Sequence, residues 1–152
     1  MISAGDLAPD VKMNRDGGGT IRLADLRPGR VVLASDGDGT PNCTNEVMDF
    51  NGLLADFAAA GVTVVGLSKD SVKSHDKFIA KMGIAMALAS DHGGRLMEDW
   101  GAFGEKLFFG KLVQGGLRTT FLIGGDRRVQ KIWKVDRVKG HAAEVSAFLT
   151  LV

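Results

Sequence analysis

The sequence predicts an α/β fold, a central mixed sheet flanked by helices, on three observations. Two short apolar runs rich in β-branched residues, Val31–Ala34 and Val62–Leu67, have the pattern of strands buried on both faces. Between them Val47, Phe50, Leu54, Phe57 and Ala58 recur at three- and four-residue spacing, which gives a helix one apolar stripe to lay on that sheet. Toward the other end, Thr119–Ile123 and Val129–Trp133 flank the turn Gly124–Arg127 and read as a β-hairpin.

The elements follow in order. Asp16–Gly19, glycine-rich and flanked by extended-type residues, predicts an N-terminal β-hairpin added to the fold. After the first buried strand, a helix is expected from about Pro41 to Ala60, with Gly61 placed to end it. After the second strand, a helix from Ser71 to Met82 has Val72, Phe78, Ile79 and Met82 as its apolar positions, Asp70 or Ser71 as cap and Gly83 behind it. Lys73, Lys77 and Lys81 lie on its opposite face and read as a solvated surface. The hairpin is followed by a last helix from His141 to Leu151. The order β-α-β-α-β-β-α, with parallel strands joined by a helix and an antiparallel pair closing the sheet, suits a thioredoxin-like α/β sandwich. Pro9, Pro28 and Pro41 sit at element edges, and no repeat or long linker divides the chain, so one domain over residues 1–152 is expected.

Composition narrows the function. A chain of 152 residues that is 45% hydrophobic can bury a real core. Its 19 Lys and Arg nearly balance 18 Asp and Glu, so it lacks the basic surface that nucleic acid would need. No cationic start precedes an apolar run and no stretch approaches a membrane span, so a soluble, cytoplasmic chain without a membrane partner is expected. The 152 residues hold one cysteine, which excludes an internal disulfide, a CxxC motif and a thiolate zinc cluster. His75, His92 and His141 fall in separate elements without ligand spacing and are expected to be exposed or capping; no metal or other cofactor is expected. Asp36 and Asp38, set among glycines, read as turn formers rather than as acid, base or metal ligands.

The cysteine is the chemically informative residue. Thr40-Pro41 is a good N-cap and first-turn pair, which puts Cys43 in the first turn of the first long helix. Unpaired N–H groups and the positive end of the helix dipole favour an anion there and would lower the thiol's pKa. The alternative is that Cys43 extends the stripe through Val47 and Phe50 as a small buried hydrophobe. Met82, Met86 and Met97 read as core or pocket lining.

Thr40-Pro41-Asn42-Cys43-Thr44-Asn45-Glu46 resembles the TPGCTxE signature of the peroxiredoxin Q, or bacterioferritin comigratory protein, family. Gly5–Asp10 resembles the family's opening, Gly66–Ser71 its second strand and turn, Leu117–Ile123 its arginine-bearing strand, and Val138–His141 the stretch before its last helix. These matches run in order through nearly the whole chain. The resemblance implies a thioredoxin-like fold and a thiol-dependent peroxidase that reduces hydrogen peroxide or organic hydroperoxides. By the same resemblance Cys43 is the nucleophile, Thr40 hydrogen-bonds thiolate or peroxide, and Arg118 stabilises the developing charge. Pro41 and Asn42 would border the bound peroxide and backbone N–H groups around Asn42 and Cys43 would hydrogen-bond it, Glu46 would organise the loop or Arg118, and Trp100 and Phe103 would line the pocket rim.

Four departures from the family pattern stand around this pocket. Met48 occupies the place of a resolving cysteine, so an external thiol, thioredoxin or glutathione, would have to reduce Cys43 in a one-cysteine cycle. Asp36 stands where the family has proline, bringing a carboxylate toward the thiol. Asn42 stands for glycine, and Ala34 and Ser35 for larger aromatics. Two functions follow: a peroxidase acting as monomer or weak homodimer, or a catalytically impaired domain that binds a ligand or partner in the altered pocket.

Overall fold

The computed structural model describes residues 2–9, 12–26, 29–35, 41–93, 95–108, 110–135 and 138–149, and for 41–44, 106 and 108 the backbone alone. The strands are β1 (Lys12–Arg15), β2 (Thr20–Arg22), β3 (Arg30–Ser35), β4 (Val62–Ser68), β5 (Ala87–Ser90), β6 (Phe103–Phe108), β7 (Lys111–Gly116), β8 (Thr119–Ile123) and β9 (Val129–Lys134). The α-helices are α1 (Pro41–Gly52), α2 (Leu54–Ala59), α3 (Val72–Met82), α4 (Leu96–Asp99) and α5 (His141–Leu149).

Among the described residues, seven strands form one sheet in the order β2-β1-β5-β4-β3-β8-β9. The centre is parallel, with Val32 opposite Val64 and Leu33 opposite Val65 between β3 and β4, and β4 pairing β5 in the same sense. β8 runs antiparallel to β3, Thr120 opposite Ala34, and β9 closes the edge antiparallel to β8. The mixed sheet, its parallel centre and its hairpin edge bear out the predicted architecture.

Strand alternation sorts the core into two layers. Val31, Leu33, Val65, Leu67 and Phe121 point to one side and pack with Met13, Ile21, Leu23, Met97 and Trp100. Val32, Ala34, Val64 and Leu122 point to the other and pack with Phe50, Phe57, Ala142, Val145 and Leu149 from α1, α2 and α5. Both faces are covered, which is why these strands read as continuous apolar runs.

α3 is built as the sequence indicates. Ser71 accepts a hydrogen bond from the Ser74 N–H, and Gly83 takes φ 67° and returns its N–H to the Ile79 carbonyl. Lys73, Lys77 and Lys81 are exposed. The last helix ends at Leu149 in the described residues.

The structure corrects several other expectations. The helix predicted from Pro41 to Ala60 is two, broken at Leu53, whose ψ of 11° leaves the helical range. Asn51 and Gly52 propagate a helix poorly, and Asn51 Oδ1 instead accepts from the N–H groups of Ala85 and Met86 at 2.8 and 3.3 Å. The short elements β5, α4 and the separate β6–β7 hairpin were absent from the predicted order. The N-terminal hairpin is a working part of the sheet, because β1 pairs with β5.

Candidate functional site

Ligand sites in such sheets gather beyond the carboxyl ends of the parallel strands, and here β3 and β4 end at Ser35 and Ser68, where α1 and α3 begin. Pro41 opens α1, which suits proline because the first turn has no use for its missing N–H. Pro41, Asn42 and Cys43 therefore lie in the first turn, as the capping pattern indicates. Their side chains, and Asp36 and Thr40 altogether, lie outside the described residues.

One turn on, Glu46 is buried, its side chain 4% exposed, and its Oε2 stands 3.6 Å from Nε of Arg118, whose side chain is 16% exposed. Arg118 comes from the short link between β7 and β8, and its carbonyl accepts from the Val135 N–H at 3.0 Å. A carboxylate this deep is costly unless a cation meets it, so the pair ties the cysteine helix to the arginine strand. The structure thus brings Glu46 and Arg118 together beside the first turn of α1. A guanidinium is always charged and offers fixed donors, which suits holding an anion.

A cavity of about 270 Å³ opens beside this pair between α1 and α3. Ala34, Glu46, Val47, Phe50, Gly66, Phe78, Met86 and Leu88 form much of its wall, and Ser68, Asp70, Ser74 and His75 its polar end. The small side chain at Ala34 helps keep the space open, and Gly66 does so differently. A Cβ there would lie 2.8 Å from Leu88 Cδ2. The polar end is internally bonded: His75 Nε2 stands 3.1 Å from the Ala89 carbonyl, so it carries the proton, and 3.2 Å from Ser68 Oγ.

His75 and His141 correct the expectation of exposed histidines. Both are buried. Burial pushes both imidazoles below the usual histidine value, against the opposing pull of Asp70 and other acids on His75 and of Glu144 on His141. His141 Nε2 lies 2.8 Å from Thr120 Oγ1. His92 is exposed, its Nδ1 donating to the Lys69 carbonyl.

Beyond β4 and β5, Lys69 bonds Asp91 at 2.9 Å and Glu98 at 2.5 Å. Burial works to lower its pKa, but those two acids outweigh it and hold the ammonium above the usual lysine value. The Asp91 carboxylate also accepts from the Leu96 and Met97 N–H groups and so caps α4. Trp100 belongs to the core on the opposite side of the sheet, edge-on to Phe121, and not to the described cavity. Met97 is core and Met86 lines the cavity. Among the described residues, no group of three or more His, Cys, Asp or Glu could hold a metal ion, and no helix is long and apolar enough to cross a membrane.

Comparison with known proteins decides the family. The AhpC/TSA family model matches residues 4–132. The chain belongs to that family. It is 46% identical to peroxiredoxin Bcp of Xanthomonas campestris over 112 residues, 74% of this chain and 70% of that protein. It is 36% identical to peroxiredoxin Bcp of Bacillus subtilis, over 94% of this chain and 92% of that one. A solved Xylella fastidiosa PrxQ structure, a cysteine-to-serine mutant, superposes with TM-score 0.92 at 35% identity, covering 99% and 97% of the two chains. The Xanthomonas campestris bacterioferritin comigratory protein, solved in work on its alkyl peroxide reduction, superposes with TM-score 0.89 at 37% identity, covering 98% of each. The resemblance read in the sequence and the thioredoxin-like fold are borne out. The chain is an enzyme, a thiol-dependent peroxidase of the peroxiredoxin class, using a hydroperoxide substrate and a thiol reductant. Between the two functions open in the sequence, the relatives favour the peroxidase.

Proposed function

We propose that Cys43 is the peroxidatic nucleophile and that Arg118, Thr40 and the first turn of α1 form its site. The observation that carries this reading is the buried Glu46–Arg118 pair at 3.6 Å, beside the helix turn that holds the chain's one cysteine. The Cys43 thiolate attacks the terminal oxygen of ROOH, the O–O bond breaks, and the electron pair leaves with the second oxygen, which takes a proton to become ROH or water. The sulfur is oxidised to a sulfenic acid. Arg118 and the Thr40 hydroxyl offset negative charge on sulfur and oxygens, and N–H groups around Asn42 and Cys43, with Pro41 bordering them, receive the peroxide. Glu46 orients Arg118. Asp36, in the loop that precedes Cys43 in sequence, counts in this reading among the substrate-binding residues, and its carboxylate would raise the Cys43 pKa if close to it. The cavity walled by Ala34, Val47 and Phe50 suits the apolar tail of an organic hydroperoxide.

With one cysteine in the chain, the return step falls to an external thiol, thioredoxin or glutathione. One thiol condenses with the sulfenic acid, releasing water and leaving a mixed disulfide. A second thiol then frees Cys43 and leaves as the reductant's disulfide. That cycle suits the cytoplasm, where such thiols are kept reduced. We read residues 1–152 as one domain, acting as monomer or weak homodimer. Leu107 and Leu112, opposite one another on the β6–β7 hairpin, and Val113 beside Leu112 are exposed apolar side chains of that element. The test is steady-state turnover with each reductant in turn. Peroxide consumption that requires added thiol and disappears in Cys43→Ser supports the cycle; turnover that persists in Cys43→Ser overturns it.

A further inference from the structure

The last helix brings a buried imidazole to the junction of the two elements that carry the proposed chemistry. His141, the first residue of α5, places Nε2 2.8 Å from Oγ1 of Thr120 on β8. Thr120 follows Arg118 by two positions and is itself fully buried, opposite Ala34 in the sheet register. The other side of the ring meets α1: Phe50, 0% exposed, lies edge-on to His141 with centroids 5.8 Å apart. Trp133 of β9 closes the ring's surroundings at 6.1 Å. One side chain therefore touches the strand that leads in from Arg118 and the helix whose first turn holds Cys43.

We propose that His141 is a positioning residue of the peroxidase, which through Thr120 and Phe50 fixes β8 against α1 and so sets Arg118 relative to the first turn of that helix. The inference rests on the roles proposed for Cys43 and Arg118. Its physical basis is that packed interiors deform little, so a buried hydrogen bond between two packed elements fixes their spacing. Leaving Thr120 Oγ1 buried without its partner costs its desolvation and lets the elements separate. A displacement of order 1 Å at a reacting pair lowers rate by up to about 100-fold.

The test compares two reactions of Cys43 at neutral pH and 25 °C: oxidation by hydrogen peroxide, and alkylation by iodoacetamide, which needs the thiolate but not its placement against Arg118. His141→Leu and Thr120→Val are each expected to slow oxidation about tenfold while alkylation stays within about threefold, and the double variant to be no slower than the worse single. His141→Gln and Thr120→Ser, which keep a hydrogen-bonding group, are expected to oxidise within about twofold of the parent. Thermal unfolding of each variant identifies any that fails to fold, and the Thr120 pair carries the test if His141→Leu does not. Parent-like oxidation in the Leu and Val variants, an equal fall in both reactions, or no recovery in the conservative variants overturns the proposal. A parent enzyme whose Cys43 does not react with peroxide overturns the nucleophile assignment instead.

Discussion

Arg118→Met separates the structural work of the arginine from its chemistry. The substitution keeps a long apolar stem, removes the guanidinium, and leaves the Glu46 carboxylate, 4% exposed, without this cation. Breaking a buried pair from one side costs about 3–5 kcal/mol. Arg118 keeps some contact with water and the Nε–Oε2 separation is 3.6 Å, so the low end, about 3 kcal/mol, is expected. For a chain of this size that lowers Tm by about 6–12 °C. The double variant Glu46→Gln/Arg118→Met removes both charges and is expected to recover most of that loss. Chemistry behaves differently: losing a charge-stabilising donor costs about 100- to 1000-fold in rate, and the double variant does not restore it. Calorimetry reads the first effect and stopped-flow oxidation of Cys43 the second. A single variant that oxidises at the parent rate refutes the catalytic role of Arg118. A double variant no more stable than the single refutes the pairing argument.

The buried histidines set a pH dependence. Both have folded-state pKa values below the ordinary 6.5, so the unfolded chain binds more protons as pH falls through that value. Their contribution is fully present above about pH 6.5 and is lost as pH drops toward and through the lowered folded-state values. Tm measured from pH 7.5 to 5 is expected to fall, with a shallower slope in His75→Gln and in His141→Gln; slopes unchanged in both would contradict the assignment of buried neutral rings. Phe50→Ala empties a fully buried site between Phe57 and His141 and is expected to cost about 3–5 kcal/mol by chemical denaturation. A loss under about 1 kcal/mol would mean that α1 does not pack there as described.

The central strands were legible because burial on both faces forces continuous apolar runs, and Val31–Ala34 and Val62–Leu67 are of that kind. α3 was legible at both ends, through Ser71 and Gly83. β5 was not: Ala87–Ser90 has four residues and no β-branched side chain, so its place beside β4 is set by tertiary pairing. The β6–β7 hairpin is largely solvent-facing and carries Glu105, Lys111 and Gln114, a pattern indistinguishable from loop. The break after Asn51 depends on bonds to Ala85 and Met86, far along the chain. The site divides in the same way. Helix-start chemistry pointed to Cys43 from local residues, whereas Arg118 emerged from family resemblance, which left Glu46 to organise either the loop or Arg118; the fold shows the contact with Arg118, at 3.6 Å. His75 and His141 misled because a single polar residue on an apolar stripe does not reveal partners such as Ala89 and Thr120 on other strands.

The central claim, that Cys43 is the peroxide-reducing nucleophile, is met most directly by mixing reduced protein with a small excess of hydrogen peroxide. Its oxidation is followed by stopped flow and intact mass, with Cys43→Ser as the blank. The account predicts a rapid gain of one oxygen at Cys43, far faster than with free cysteine, and none in the serine variant. A thiol that reacts no faster than free cysteine would contradict it.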